Sequence, residues 1–181
     1  AYSILASESV TIDGATFSLK NTMYGRGIKT VAMTVKNNAN VTLTSAQGEA
    51  GMIEAATVTL EDSTVKMSVH NGSKAGAIAA TGDVVLDNTA LDIICGGYGP
   101  AVKTGGKFTV TDGVVSLNSP DVAVNGELEF NSGEMILISR TGKELLTTDA
   151  TIADGYTVTV SENTADDKMN GYTQVSIKNG E

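Results

Sequence analysis

The sequence predicts an all-β fold, a right-handed parallel β-helix of about six three-strand coils that ends in a C-terminal β-hairpin cap. Three observations predict it: a repeated strand pattern, polar corner residues at a constant place within the repeat, and a tail that departs from both. A repeat of this size is typical of a solenoid, in which each copy forms one coil stacked on the previous copy.

The repeat unit contains two apolar–x–apolar runs separated by a short polar corner. Such alternation predicts half-buried strands, with one side chain pointing inward and the next pointing outward. Successive copies begin 20 to 26 residues apart. The residues that begin the six copies are Val10, Met33, Val58, Val84, Phe108 and Leu128.

A third, shorter strand follows the second run in most units. Its apolar anchors recur at about the same period, so we expect them to stack in one interior column. Three strands per unit predict a triangular coil, and the general preference of parallel crossovers predicts its right hand. The anchors are Ile28, Ile53, Ile78, Val102 and Val124.

The corners after the first strand carry the residues that a sharp bend requires. Gly, Asn and Asp tolerate left-handed backbone angles best, so we interpret these positions as turn residues without a further function. A hairpin-rich sandwich, the competing fold, should not repeat this pattern at constant phase. The corners are Asp13-Gly14, Asn37-Asn38, Asp62, Asp87-Asn88, Asp112-Gly113 and Asn131-Ser132.

The tail breaks the repeat and divides the chain into two parts. We expect the parallel β-helix over residues 1–140 and a β cap, packed on the solenoid end, over residues 141–181. Two strand-like runs begin at Tyr156 and Tyr172, and a polar stretch joins them. The last coil of a solenoid exposes an unpaired edge, which such a hairpin would cover.

Composition argues against several function classes. The net charge of −9 disfavours nucleic acid and anionic membranes as partners. Cys95 is the single cysteine, so neither a disulfide nor a thiolate cluster can form within the chain. His70 is the single histidine. We expect Cys95 to be a buried small apolar residue. No stretch has transmembrane length, so we expect no membrane insertion in this segment.

The repeat units resemble a known family. The segments Ala56–Leu60, Gly82–Leu86 and Gly106–Val110, each followed by an Asp or Asn corner, are similar to the β-helical repeats of large secreted surface proteins of gut, mostly Gram-positive, bacteria. The ending Ile152–Val160 is similar as well, and the resemblance covers roughly residues 8–178. It implies an extracellular, carbohydrate-binding or adhesin-like module, part of a larger multidomain chain on the cell surface or secreted from it.

The carboxylates do not form a catalytic pattern. Glycoside hydrolysis requires two positioned carboxylates, whereas the adjacent Asp166 and Asp167 fall in the predicted cap loop, where a solvated pair is expected. Asp83, Asp87 and Asp92 lie in one unit but lack the spacing of a calcium loop. We therefore expect no enzyme activity, no metal and no cofactor. The alternative is a polysaccharide lyase or glycoside hydrolase.

A candidate binding surface lies beside the third strand. Tyr24-Gly25 precedes Ile28 as Tyr98-Gly99 precedes Val102, and tyrosine offers a flat apolar face with a polar tip. We expect a glycan or a host or bacterial surface protein to bind here, on a rigid spacer. A purely structural stalk or filament subunit is the other alternative. The candidate residues are Tyr24, Tyr98, Glu49, Lys74, Lys29, Glu54 and Lys103.

Overall fold

A computed structural model describes residues 1–22, 25–46, 51–69, 75–140, 150–165 and 168–180, and these form an all-β solenoid of about five turns. The predicted parallel β-helix is therefore confirmed. Within these ranges there is no helix, and hence none that is long and apolar enough to cross a membrane. In chain order the strands are β1 (Tyr2–Leu5), β2 (Ser9–Asp13), β3 (Thr16–Asn21), β4 (Arg26–Lys29), β5 (Ala32–Lys36), β6 (Asn40–Ser45), β7 (Ile53–Ala55), β8 (Thr57–Glu61), β9 (Thr64–Val69), β10 (Ile78–Ala80), β11 (Val84–Asp87), β12 (Thr89–Cys95), β13 (Val102–Val110), β14 (Gly113–Ser119), β15 (Val124–Phe130), β16 (Glu134–Ser139), β17 (Ala150–Ile152), β18 (Tyr156–Glu162) and β19 (Thr173–Asn179).

The strands stack in three parallel columns. The first column contains β2, β5, β8 and β11, and the second contains β3, β6, β9, β12, β14 and β16. The third contains β1, β4, β7 and β10. β13 and β15 each run through the third column and into the first, with a register irregularity between Lys103 and Lys107. The first and third columns therefore join into one sheet, and the second column forms the other.

The apolar anchors of the third strand form the predicted interior column. Ile28, Ile53, Ile78, Val102 and Val124 pair in register from strand to strand, and all are fully buried. Fully burying one such side chain stabilises a fold by about 1.5–3 kcal/mol relative to its exposure. The anchors of the first column pair in the same way, from Val10 to Leu128. The core is thus a stack of similar apolar layers.

The polar corners take the backbone conformation expected of them. Asn37 and Asn38 have φ of 59° and 61°, and Asp62 and Asn88 have φ of 44°. Their side chains also link neighbouring coils. The Asn37 amide donates to Asp13 Oδ1 over 2.7 Å, and the Asn88 amide donates to Asp62 Oδ1 over the same distance. These residues bend the chain and connect one coil to the next.

The tail closes the second column with strands of reversed direction. β18 and β19 form an antiparallel hairpin, and β19 pairs antiparallel with β16. Val175 and Ile177 on β19 are buried against the last coil. The Phe130 and Tyr156 rings meet edge to face at 5.1 Å. β17 differs from the hairpin, because it pairs parallel with β15 and extends the first column.

Removing a layer of the interior column should destabilise the whole solenoid. We expect Ile78→Ala to lower the free energy of unfolding by about 2–5 kcal/mol, because it leaves a cavity between two buried neighbours. Urea unfolding measures this value. The matched control is Thr42→Ala, an exposed position on β6, which should cost less than about 1 kcal/mol. Equal costs for both variants would contradict the buried column.

The corner at Asn88 separates backbone strain from hydrogen bonding. Asn88→Gly and Asn88→Ala both remove the hydrogen bond to Asp62, but the alanine variant also places a Cβ in the left-handed region. We expect Asn88→Ala to be less stable than Asn88→Gly by about 1 kcal/mol in thermal unfolding. If the alanine variant is as stable as the glycine variant, the corner does not have this conformation.

The thiol of Cys95 should be inert in the folded chain. Cys95 is buried, and this burial raises the pKa of its thiol to about 12. At pH 8 the thiol is therefore protonated and shielded, so native alkylation by iodoacetamide should be far slower than alkylation in urea. Mass spectrometry follows both rates. Native labelling as fast as that of the unfolded chain would contradict the position given to Cys95.

Candidate functional site

The outward side of the third column carries a straight row of side chains. Because Ile28, Ile53, Ile78 and Val102 point inward, the next residue of each strand points outward. The row consists of Lys29, Glu54, Ala79 and Lys103, which pair in register. Neighbouring strands in a sheet lie about 4.8 Å apart, so the two lysines stand about 14 Å apart along the coil axis.

A groove of about 540 Å³ opens on this row. At Ala79 only a methyl group stands in the row, between the longer side chains of Glu54 and Lys103. We call this site the alanine groove. Among the described residues, its charged lining is Arg26, Lys29, Glu54 and Lys103, and its apolar lining is Val31, Ala55, Ala56, Ala75, Ala79 and Ala80.

A polar network holds one end of the alanine groove. The Tyr2 hydroxyl donates to Glu54 Oε2 over 2.6 Å and accepts from Arg26 Nη1 over 3.0 Å. Lys29 Nζ lies 4.0 Å from the same Glu54 oxygen. The Arg26 guanidinium and the Lys29 ammonium also lie 5.2 and 5.3 Å from the Tyr2 ring centroid, within cation–π range. Tyr2 therefore positions three charged side chains.

Lys103 stands at the other end of the row. It is exposed, and its ammonium group has no ion-pair or hydrogen-bond partner among the residues that the structure describes. Among the residues that the structure describes, the charged lining of the groove consists of the cations Arg26, Lys29 and Lys103 and the carboxylate of Glu54. These described cations outnumber the described carboxylate, whereas the whole chain has a net charge of −9. The groove is suited to an anionic or amphipathic ligand.

The structure brings together three of the predicted site residues, Lys29, Glu54 and Lys103. Tyr98 is 73% exposed but is not among the residues that line the alanine groove. The other predicted residues, Tyr24, Glu49 and Lys74, lie outside the described residues, as do His70, Asp166 and Asp167. A common tyrosine face therefore stays a prediction.

Sequence reasoning missed Tyr2, Arg26 and Ala79 as members of the site. Ala79 has a detectable signal, because aligning the units by their apolar anchors places it between Glu54 and Lys103 as the smallest outward residue. Tyr2 has no such signal in the sequence. Its hydroxyl reaches Glu54 across an intervening strand, and the two residues are 52 positions apart in the chain.

A second groove, of about 430 Å³, runs along the corner between the first and second columns. Its lining includes Asp62, Ser63, Asn88 and Thr89. These side chains bond largely to one another or to nearby backbone. Asn88 donates to Asp62, the Ser63 and Thr89 hydroxyls lie 3.4 Å apart, and Thr89 donates to the Asp87 carbonyl over 2.9 Å. The described lining of the corner groove has no cation, which distinguishes it from the alanine groove.

Neither groove contains a paired acid and base in its described lining. Glu54 is the carboxylate of the alanine groove, and Asp62 is that of the corner groove. Over the described ranges, no group of three or more His, Cys, Asp or Glu side chains is placed to hold a metal ion. What the alanine groove offers chemically is charge and apolar surface.

Comparison with known proteins gives no relative for this chain. No protein family, no curated protein and no solved structure matches it.

Proposed function

We propose that this chain is a non-catalytic module of a bacterial surface protein, a rigid extracellular spacer and adhesive surface that binds a glycan or a protein. The alanine groove carries this proposal. A concave site with an apolar floor and a few charged groups at its rim is the usual form of a ligand site. The bacterial and extracellular parts of the proposal rest on the resemblance of the repeat units.

The scaffold under the groove supports a preformed binding surface. The groove lies on β4, β7, β10 and β13 and on residues that flank them, and each of these strands is paired on both sides. Beneath them the anchors Ile28, Ile53, Ile78 and Val102 are fully buried. A site on such a scaffold loses little conformational freedom when it binds, which favours affinity.

The state of Glu54 favours binding over catalysis. A glycoside hydrolase uses two carboxylates, one as the acid and one as the base or nucleophile. Glu54 accepts a hydrogen bond from Tyr2 and lies beside Lys29, and no second carboxylate joins it in the described lining. A polysaccharide-degrading enzyme is therefore the weaker alternative.

Filling the groove should abolish ligand binding. Glycan and surface-protein arrays are screened with the unmodified chain and with Ala79→Trp, whose indole would occupy the floor. We expect each ligand found to bind Ala79→Trp at least about tenfold more weakly, a loss of about 1.4 kcal/mol. Circular dichroism and thermal unfolding check that the variant is folded.

Two further variants control this screen. Ala90→Trp fills the corner groove instead, and it should bind as the unmodified chain does. Loss of binding in Ala90→Trp alone would move the site to the corner, and loss in a Tyr24→Ala/Tyr98→Ala double variant would favour a tyrosine face. If the unmodified chain binds nothing on either array, the structural stalk replaces the binding module.

Any glycan bound by the chain should remain intact. We expect mass spectrometry after prolonged incubation to show the ligand unchanged, because the groove has no described acid–base pair. A new reducing end would indicate a hydrolase, and an unsaturated product would indicate a lyase. Either product, if it disappeared in Ala79→Trp, would overturn the non-catalytic proposal.

A further inference from the structure

We infer that the ligand of the alanine groove is an acidic saccharide, a short run of sugar rings bearing carboxylate groups. This inference rests on the proposed function and names the ligand class of the same site. Three features carry it: the cations at the two ends of the described groove, the apolar surface between them, and the pairing of the strands under the groove on both sides.

The cations suit carboxylates. The ammonium group of Lys103 at one end has no partner within the described part of the chain, and Arg26 and Lys29 stand at the other end around Tyr2. Lys29 lies beside Glu54, and Arg26 donates to the Tyr2 hydroxyl. Hydrogen bonds from such cations to carboxylates are roughly twice as strong as neutral ones. An acidic ligand would therefore make its strongest contact at Lys103.

The described lining of the groove has few neutral polar groups, which disfavours an uncharged saccharide. Thr30 lines the groove, but its hydroxyl already lies within hydrogen-bonding distance of the Glu8 and Ala32 carbonyl oxygens, at 3.2 and 3.3 Å. Thr81 adds one exposed hydroxyl. Specificity for a neutral glycan requires several such groups, so charge is the stronger source of recognition here.

The floor suits sugar rings better than an acidic peptide. The side chains of Val31, Ala56, Ala75 and Ala79 present an apolar surface, against which the C–H faces of sugar rings can pack. An extended peptide is usually bound by adding a strand to a free sheet edge, but the strands under the groove are paired on both sides. The span of about 14 Å between the lysines accommodates a short oligomer.

The charge of the whole chain restricts the anion further. A net charge of −9 repels a densely charged polyanion such as nucleic acid at distances beyond the groove. A saccharide with carboxylates on some of its rings has a lower charge density and can satisfy the groove cations locally. The cations are exposed, so the binding should weaken as salt screens them.

The test uses the full chain in titration calorimetry with three acidic probes: a galacturonic acid tetramer, a hyaluronan tetrasaccharide and a sialylated oligosaccharide. Each probe is paired with its neutral counterpart, in which the carboxylates are esterified. We expect at least one acidic probe to bind and its ester to bind at least about tenfold more weakly. The affinity of the acidic probe should decrease when the salt concentration is raised from about 0.01 to about 0.15 M.

Charge variants locate the contact. We expect Lys103→Met to weaken the acidic probe about tenfold, because it removes one charge-assisted hydrogen bond. Lys66→Met, at an exposed lysine on β9 in the other sheet, is the matched control and should leave the affinity unchanged. Equal effects of the two variants would overturn the assignment to this groove.

The outcomes separate this inference from the proposed function. If neutral glycans bind as tightly as acidic ones and Ala79→Trp abolishes both, the inference of an acidic ligand is wrong, while the proposed binding module stands. If a tetraglutamate peptide binds more tightly than every acidic saccharide, an acidic peptide replaces the saccharide as the ligand class. If neither the arrays nor the titrations detect binding, both proposals fail.

Discussion

The structure depends on apolar side chains that stack in register from one coil to the next. Along the third column, an isoleucine or valine lies above its counterpart at every step from Ile28 to Val124. Because side chains alternate along a strand, a slip of one residue would turn this whole column toward solvent. Register is therefore strongly fixed on the inside, and the same constraint places Lys29, Glu54, Ala79 and Lys103 in a row outside.

Much of the fold could be predicted, because the packing of a solenoid follows from a pattern repeated in each coil. The alternation of apolar and polar residues predicts the strands, and the period of the repeat predicts which strands stack. The join between the third and first columns could not be predicted in the same way. Gly105 and Gly106 resemble a corner in sequence, yet they lie inside β13. A Cβ on Gly105 would overlap the Thr81 carbonyl, so this glycine permits close approach of two coils.

The candidate site was accessible to sequence reasoning only where it follows the repeat. Lys29, Glu54 and Lys103 each occupy the position after an anchor, so their alignment followed from the period. The depth of the groove depends instead on the small size of Ala79, and its polar end depends on Tyr2, whose hydroxyl crosses a strand to reach Glu54. Such a contact is a matter of side-chain reach, which no local pattern records.

The stacking also fixes the spacing of outward residues along the coil axis. The backbone positions that carry the charged residues of the row stand apart by whole multiples of the strand separation, about 4.8 Å each, because the interior permits no intermediate register. Inserting or deleting one coil between Lys29 and Lys103 would change their distance by one such step and leave the layers within each coil intact. Selectivity for the length of a bound chain could then vary discretely, by duplication or loss of coils, without any redesign of the core.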